Sequence, residues 1–252
     1  MSNTSNRYLL ISDVDDTLLG DDLALLRFQD FFAEHCADEF LLAYASGRFY
    51  DSILEDVHTT ELPEPCYIIG GVGSEIRSLP DGEPDGEWQQ RMSENWSAAR
   101  VREIFESNDH LALQPEESQS EFKVSYLYPG ATRDHLDRLR NRLAEAGIEA
   151  NVIYSSNRDL DILPKGVDKG SAGKFVAERL GIPPEHVITA GNSGNDIPLL
   201  GHGFKGIIVA NAHLELREVG KQVHAYQSPE RHADGVRDGL EHWLKRIRAS
   251  HD

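Results

Sequence analysis

Tyr8-Leu9-Leu10-Ile11-Ser12-Asp13-Val14-Asp15-Asp16-Thr17 is the stretch that decides how this chain is read. A short run, apolar throughout instead of alternating, leads straight into aspartates. That pattern predicts a strand buried on both faces of a parallel sheet. The aspartates then stand at its carboxyl end, where open α/β sheets gather ligands and reacting groups. Carboxylates there can share one hard divalent cation, with water or phosphate completing the shell. One of them can attack phosphorus while another handles protons. The plain alternative is an acidic turn with a helix cap, because Asp is common in turns.

The rhythm continues downstream. Leu25, Phe28 and Phe32 recur at helical spacing, and Phe40–Ala45 is a second buried run that ends at Ser46-Gly47-Arg48 before a helix near Phe49–Val57. Tyr67–Ile69 is a third, followed by Gly70-Gly71-Val72-Gly73. Strands alternating with helices predict an α/β fold, a doubly wound parallel-sheet (Rossmann-like) core. The texture changes at Pro80–Gly86, a linker or hairpin tip. Glu121–Tyr128 alternates like a half-exposed antiparallel strand, Thr132–Gly147 is an amphipathic helix, and Ile148–Tyr154 reads as a strand. Residues 81–156 are therefore expected to form an inserted α+β cap, with the core in residues 1–80 and 157–252. The core is expected to resume with a strand at Leu160–Leu163 and a helix from Lys169, N-capped by Asp168. Further strands are read at Val187–Ala190, Gly206–Ala210 and Val223–Gln227, and a last helix carries Val236, Leu240, Trp243 and Ile247 on one stripe.

A formal net charge of −18 on 252 residues argues against nucleic-acid binding, which needs a basic surface. It also means that any phosphate site must be made locally positive by a metal, a lysine or helix N-termini. Solubility is the plain reason for such acidity, and a salt-rich cell is the alternative. No apolar run is long enough to span a bilayer, and Met1–Arg7 has no secretory core. Cys36 and Cys66 are unpatterned, so they are expected as free thiols in a reducing compartment, the cytoplasm.

Other candidate site elements also sit at strand ends. The Ser46 hydroxyl, with Gly47 and Arg48 beside it at a helix start, can meet phosphate oxygens. Lys169 can neutralise charge among carboxylates and phosphate. Gly191-Asn192-Ser193-Gly194-Asn195-Asp196 offers oxygen ligands on a flexible loop. Each also has an ordinary reading, as a turn or a solvated helix-start lysine.

In this order, the four elements resemble the haloacid dehalogenase superfamily of phosphatases and phosphotransferases, with the cap placed as in its C2-capped branch. The resemblance implies Asp13 as a nucleophile forming an aspartyl-phosphate and Asp15 as general acid, then base. It implies Ser46 as the group orienting the phosphoryl and Lys169 as the cation between Asp13 and phosphate. Magnesium would be held by Asp13, the Asp15 backbone and the last motif, through Asn192 and Asp196. Asn192 departs from the aspartate usual there, which gives Asp196 more of the load.

Within the superfamily, Leu10–Asp13, Gly71–Ile76, Val152–Lys165, Gly206–Ala212 and Ala233–Trp243 resemble sucrose-phosphate and mannosylfructose-phosphate phosphatases. That likeness implies a disaccharide phosphate clasped between core and cap. Lys123, Asp159, Asp161 and Glu75 are the candidate sugar partners, and Gly47, Arg48 and Asn195 the candidates nearer the phosphate. A cognate glycosyltransferase that makes the sugar phosphate is a candidate partner. Trp88 and Trp96, placed in the cap, can stack on sugar faces or, more commonly, fill the cap's own core and are left unassigned, while His202 and His213 are read as surface residues. Two other functions stay open on sequence: phosphotransfer to a sugar, and a catalytically quiet sugar-phosphate binder, the latter because of Asn192.

Overall fold

The computed structural model describes residues 7–249, so most of the polar start read above, at 1–6, lies outside the described residues. In the first half, Tyr8–Ser12 (β1) leads to Asp22–His35 (α1), Phe40–Ala45 (β2), Tyr50–Thr59 (α2), Tyr67–Gly70 (β3) and Glu75–Ser78 (β4). Gly86–Met92 (α3) and Ala98–Phe105 (α4) precede Ala112–Leu113 (β5), Val124–Leu127 (β6), Arg133–Glu145 (α5), Ala150–Ser155 (β7) and Asp159–Pro164 (β8). The remainder is Lys169–Leu180 (α6), Val187–Gly191 (β9), Lys205–Ile208 (β10), Leu214–Gln222 (α7), Tyr226–Gln227 (β11) and His232–Ala249 (α8).

The larger sheet runs β11-β10-β9-β1-β2-β3-β4 and is parallel except for β4, which returns antiparallel on β3. Strand β1 is buried along its length because it pairs with β2 on one side and β9 on the other, Leu10 facing Leu42 and Ile188. One face of the sheet is covered by α1 and α8 through Phe28, Phe32, Val236 and Leu240. The other is covered by α6 through Phe175 and Val176, joined by Trp88 and Met92 of α3. Asp168 caps α6 as expected, accepting from the Ser171 N–H at 2.7 Å.

The smaller sheet, β5-β6-β8-β7, is antiparallel and packs on α4 and α5. Here three expectations are corrected. Leu160–Leu163, expected to restart the larger sheet, lies in β8, the inner strand between β6 and β7. Leu160-Asp161-Ile162-Leu163 is buried throughout, as an inner strand of either kind of sheet can be, so its apolar residues report burial and not sheet membership. Trp88 belongs to the larger unit, its ring 5.1 Å from Phe175 and its indole N–H donating to the Gly73 carbonyl at 2.9 Å. The strand expected at Glu121–Tyr128 is not half-exposed: Lys123 and Ser125 are as buried as Val124 and Tyr126, because that face closes over a cleft. In addition, Val223 ends α7, so the last strand is reduced to Tyr226–Gln227.

Candidate active site

The carboxyl ends of β1 and β9 bring Asp13 and the Asn192–Asp196 loop together, and the start of α6 brings Lys169. Lys169 is fully buried, and its ammonium donates to Asp13 Oδ1 and to Asp196 Oδ1, both at 2.7 Å. Burial opposes that charge, but the two carboxylates outweigh it and hold Lys169 above the ordinary lysine range. Burial, then the neighbouring Asp196, pushes the Asp13 carboxyl up to about 7, against the pull of Lys169 and Thr17. The Thr17 hydroxyl donates to Asp13 Oδ2 at 2.7 Å and fixes the plane of the carboxylate. Sequence reasoning left Thr17 unassigned, though it stands one helical turn beyond Asp13.

Asp15 turns its carboxylate to Arg48, which donates from Nε at 2.9 Å and pairs through Nη2 at 2.8 Å while also holding Asp56. Ser46 is fully buried beneath this pair, accepting the Arg48 N–H at 3.1 Å. It does not line the cleft, whereas Gly47 and Arg48 do.

The cleft lies between the two sheets and encloses about 330 Å³. Asp13, Asp15, Asp16, Asn192, Ser193 and Asn195 form its larger-unit side, and Lys123, Ser155, Arg158, Asp159 and Asp161 face them. The Lys123 ammonium donates to the Ser118 carbonyl at 3.2 Å and the Gly47 carbonyl at 3.3 Å, and stands 3.4 Å from Asp161. Asp161 also accepts the Ser125 hydroxyl at 2.6 Å. Asp159 accepts from Gln114 at 3.2 Å and pairs with Arg158. Gln114, Ser118 and Arg158 were not singled out from sequence: isolated polar residues carry no local signal until the smaller sheet folds over. His213, expected simply at the surface, is an exposed residue on the cleft wall.

Two expectations fail here. Glu75 is not in the cleft; it accepts the Tyr50 N–H at 2.8 Å and pairs with Arg77 at 2.7 Å, so it anchors the start of α2. Asp196 is buried behind the loop. Its Oδ2 accepts the Asn192 and Ser193 N–H groups at 2.9 and 3.0 Å while Oδ1 holds Lys169, which leaves it an anchor for the loop instead of the main ligand.

A hard cation fits the groups that remain. The Asn192 side-chain amide stands 3.2 Å from the Asp15 carbonyl oxygen. The amide nitrogen donates to that carbonyl, and the amide turned end for end would present two oxygens to one ion. Each Asp13 oxygen accepts one side-chain hydrogen bond and keeps acceptor capacity. Carboxylate, backbone carbonyl and amide oxygens make an all-oxygen set of the kind magnesium takes. Among the described residues no cluster of three His, Cys, Asp or Glu side chains could hold a metal alone, so the backbone and the amide matter.

The sequence profile described as Sucrose-6F-phosphate phosphohydrolase matches residues 6–244. A mannosylfructose-phosphate phosphatase of Agrobacterium fabrum is 34% identical over 240 residues, covering 93% of this chain and 96% of its own length. Sucrose-phosphatase 1 of Nicotiana tabacum is 32% identical, and the match spans 94% of this chain but 59% of that longer protein. The crystal structure of the Synechocystis sp. PCC6803 sucrose-phosphatase with sucrose and phosphate superposes with a TM-score of 0.88 at 35% identity, covering 94% of this chain and 98% of the other.

Proposed function

The chain belongs to the sucrose-6F-phosphate phosphohydrolase family, and from that premise we propose that it hydrolyses the phosphate monoester of a non-reducing disaccharide, sucrose 6-phosphate or mannosylfructose phosphate. It is a phosphoric monoester hydrolase. The observation that carries the substrate class is the cleft itself: a buried Asp13–Lys169–Asp196 cluster at one end and a wall of paired polar groups, Lys123 with Asp161 and Arg158 with Asp159, at the other. Sugar hydroxyls are met by such fixed donors and acceptors, and the smaller sheet acts as the cap that excludes water.

In this reading Asp13 attacks phosphorus while the bond from phosphorus to the sugar oxygen breaks. Asp15 gives its proton to that departing oxygen. Water then attacks the aspartyl-phosphate, Asp15 takes the water's proton, and phosphate leaves with Asp13 restored. Lys169 holds Asp13 in line. Magnesium, held by Asp13, the Asp15 carbonyl and Asn192, would neutralise phosphoryl charge. Transfer to a second sugar and a quiet binding role both lack an observation in their favour. The two free thiols, Cys36 and Cys66, support placement in the reducing cytoplasm, and a cognate glycosyltransferase that makes the sugar phosphate is the partner we propose.

Purified protein assayed with both disaccharide phosphates and with hexose phosphates tests the reading. One disaccharide phosphate should be preferred at least tenfold, and Asp13→Asn should lose turnover more than 1000-fold (~4 kcal/mol) while keeping its fold. Equal slow rates on all esters would remove the disaccharide assignment, and an active Asp13→Asn variant would remove the covalent step.

A further inference from the structure

We propose that Glu215, outside the cleft, is a positioning residue that couples closure of the cap to the Asn192–Asp196 loop; this rests on the functional reading above. One of its oxygens, Oε1, accepts two backbone N–H groups from different units: Ser156 in the cap at 3.0 Å and Gly194 in the loop at 2.9 Å. Ser156 and Asn157 are both left-handed, with φ of 55° and 52°, and form the tight turn between β7 and β8. Ser155 and Arg158, flanking them, line the cleft. The same contact explains Gly194. A Cβ there would lie 2.6 Å from Glu215 Oε1 and 2.8 Å from the Tyr154 carbonyl of β7, so the missing side chain is what lets the cap strand reach the loop. Hydrogen bonds to a charged acceptor are stronger than neutral ones, and a partly buried carboxylate shared by two units holds them in one register. Glu215 itself neither lines the cleft nor contacts Asp13, and it reaches the cleft wall only through the Ser156 N–H, so its effect passes through the two backbones it joins. A sugar held by Ser155 and Arg158 thereby keeps Ser156 on Glu215, where the structure already seats it, and steadies Gly194, between Asn192 and Asp196. A small ester that leaves the cap untouched gains nothing from this contact.

The test compares the preferred disaccharide phosphate with p-nitrophenyl phosphate in wild type, Glu215→Ala and Glu215→Gln. For Glu215→Ala, kcat/KM on the disaccharide phosphate should fall tenfold or more, mainly through KM, and on the aryl ester less than threefold. Glu215→Gln keeps the side-chain volume and one oxygen acceptor, should fall between, and carries the test where the alanine variant unfolds. Parallel losses on both esters, accompanied by a higher magnesium requirement, would make Glu215 a prop for the loop alone and overturn the coupling, as would no loss on either. A wild-type enzyme that cleaves the aryl ester and no disaccharide phosphate would overturn the functional reading itself, before any variant is made.

Discussion

Replacing Lys169 by methionine removes the cation that two buried carboxylates share. Its ammonium is fully buried and bonds Asp13 and Asp196 at 2.7 Å each, so no water can take its place without opening α6. Breaking a buried pair by deleting one partner costs about 3–5 kcal/mol, because the remaining charge is left uncompensated. For a chain of this size that is a loss of roughly 6–20 °C in melting temperature. The penalty has a pH signature. Asp13 is already raised from an unfolded value near 3.8 to about 7, so the folded state binds its proton the more tightly. That contribution to stability is full below the unfolded value and is lost as pH rises through the folded one. Without Lys169 the carboxyl climbs further, so the variant suffers most at pH 8. At pH 5 a protonated Asp13 can donate to its neighbours and the gap narrows. Thermal unfolding of both proteins in EDTA at pH 5 and pH 8 measures this. A gap that is the same at both values, or below about 1 kcal/mol at pH 8, would refute the argument that charge burial dominates here.

Gly170→Ala should destabilise the protein by about 1–3 kcal/mol or more in a urea titration, because an added Cβ would lie 2.2 Å from the Pro198 carbonyl oxygen. Burial pushes the Cys36 thiol up to about 12 and raises Cys66 as well; a disulfide-exchange reagent at pH 8 should therefore label neither in the folded protein and both in guanidinium, and prompt labelling of Cys36 in the folded state would contradict its burial. Thr17→Val should keep the fold yet lower kcat at least tenfold with KM little changed, since it frees the Asp13 plane set by the 2.7 Å hydroxyl bond; steady-state kinetics on the disaccharide phosphate checks it.

The larger sheet was legible because its strands are buried on both faces, and so is its reactive edge. Each of Asp13, Ser46-Gly47-Arg48, Lys169 and Asn192–Asp196 follows an apolar run or opens a helix, so local pattern marked segments that converge in the structure, although Ser46 lies beneath the cleft and Asp196 behind its loop. The assignment of β8 to the wrong sheet has the opposite cause, since Leu160–Leu163 is covered on both faces by neighbours that only the tertiary fold supplies. Asp196 and Glu75 show a further limit. A carboxylate that caps backbone N–H groups and one that meets a ligand look alike in sequence, and only the partners distinguish them. The link between Asp16 and Asn211 was invisible for a related reason: Asp16 is left-handed, at φ 56°, and its carbonyl is held at 2.6 Å by Asn211, 195 positions away.

The charge of −18 turns from a difficulty into an ordering principle once the cleft is considered by its pairs. Among the described lining residues five carboxylates, Asp13, Asp15, Asp16, Asp159 and Asp161, meet three cations, Arg48, Lys123 and Arg158. Each of those cations is already committed to a carboxylate: Arg48 to Asp15 and Asp56, Lys123 to Asp161, Arg158 to Asp159. A phosphate dianion approaching this wall gains little from them, and at the Asp13 end it meets repulsion. Neutral sugar hydroxyls suffer no such repulsion, and they find acceptors and donors held rigidly side by side. The two ends of the cleft are therefore matched to the two ends of the substrate. Paired charges suit the uncharged sugar, and on the proposed reading the phosphate would depend on a divalent cation held by the Asp13, Asp15 and Asn192 oxygens. It follows that phosphate affinity should rise with magnesium concentration far more steeply than sucrose affinity, a contrast that calorimetry of the two ligands separately can read and that a uniformly basic pocket would not produce.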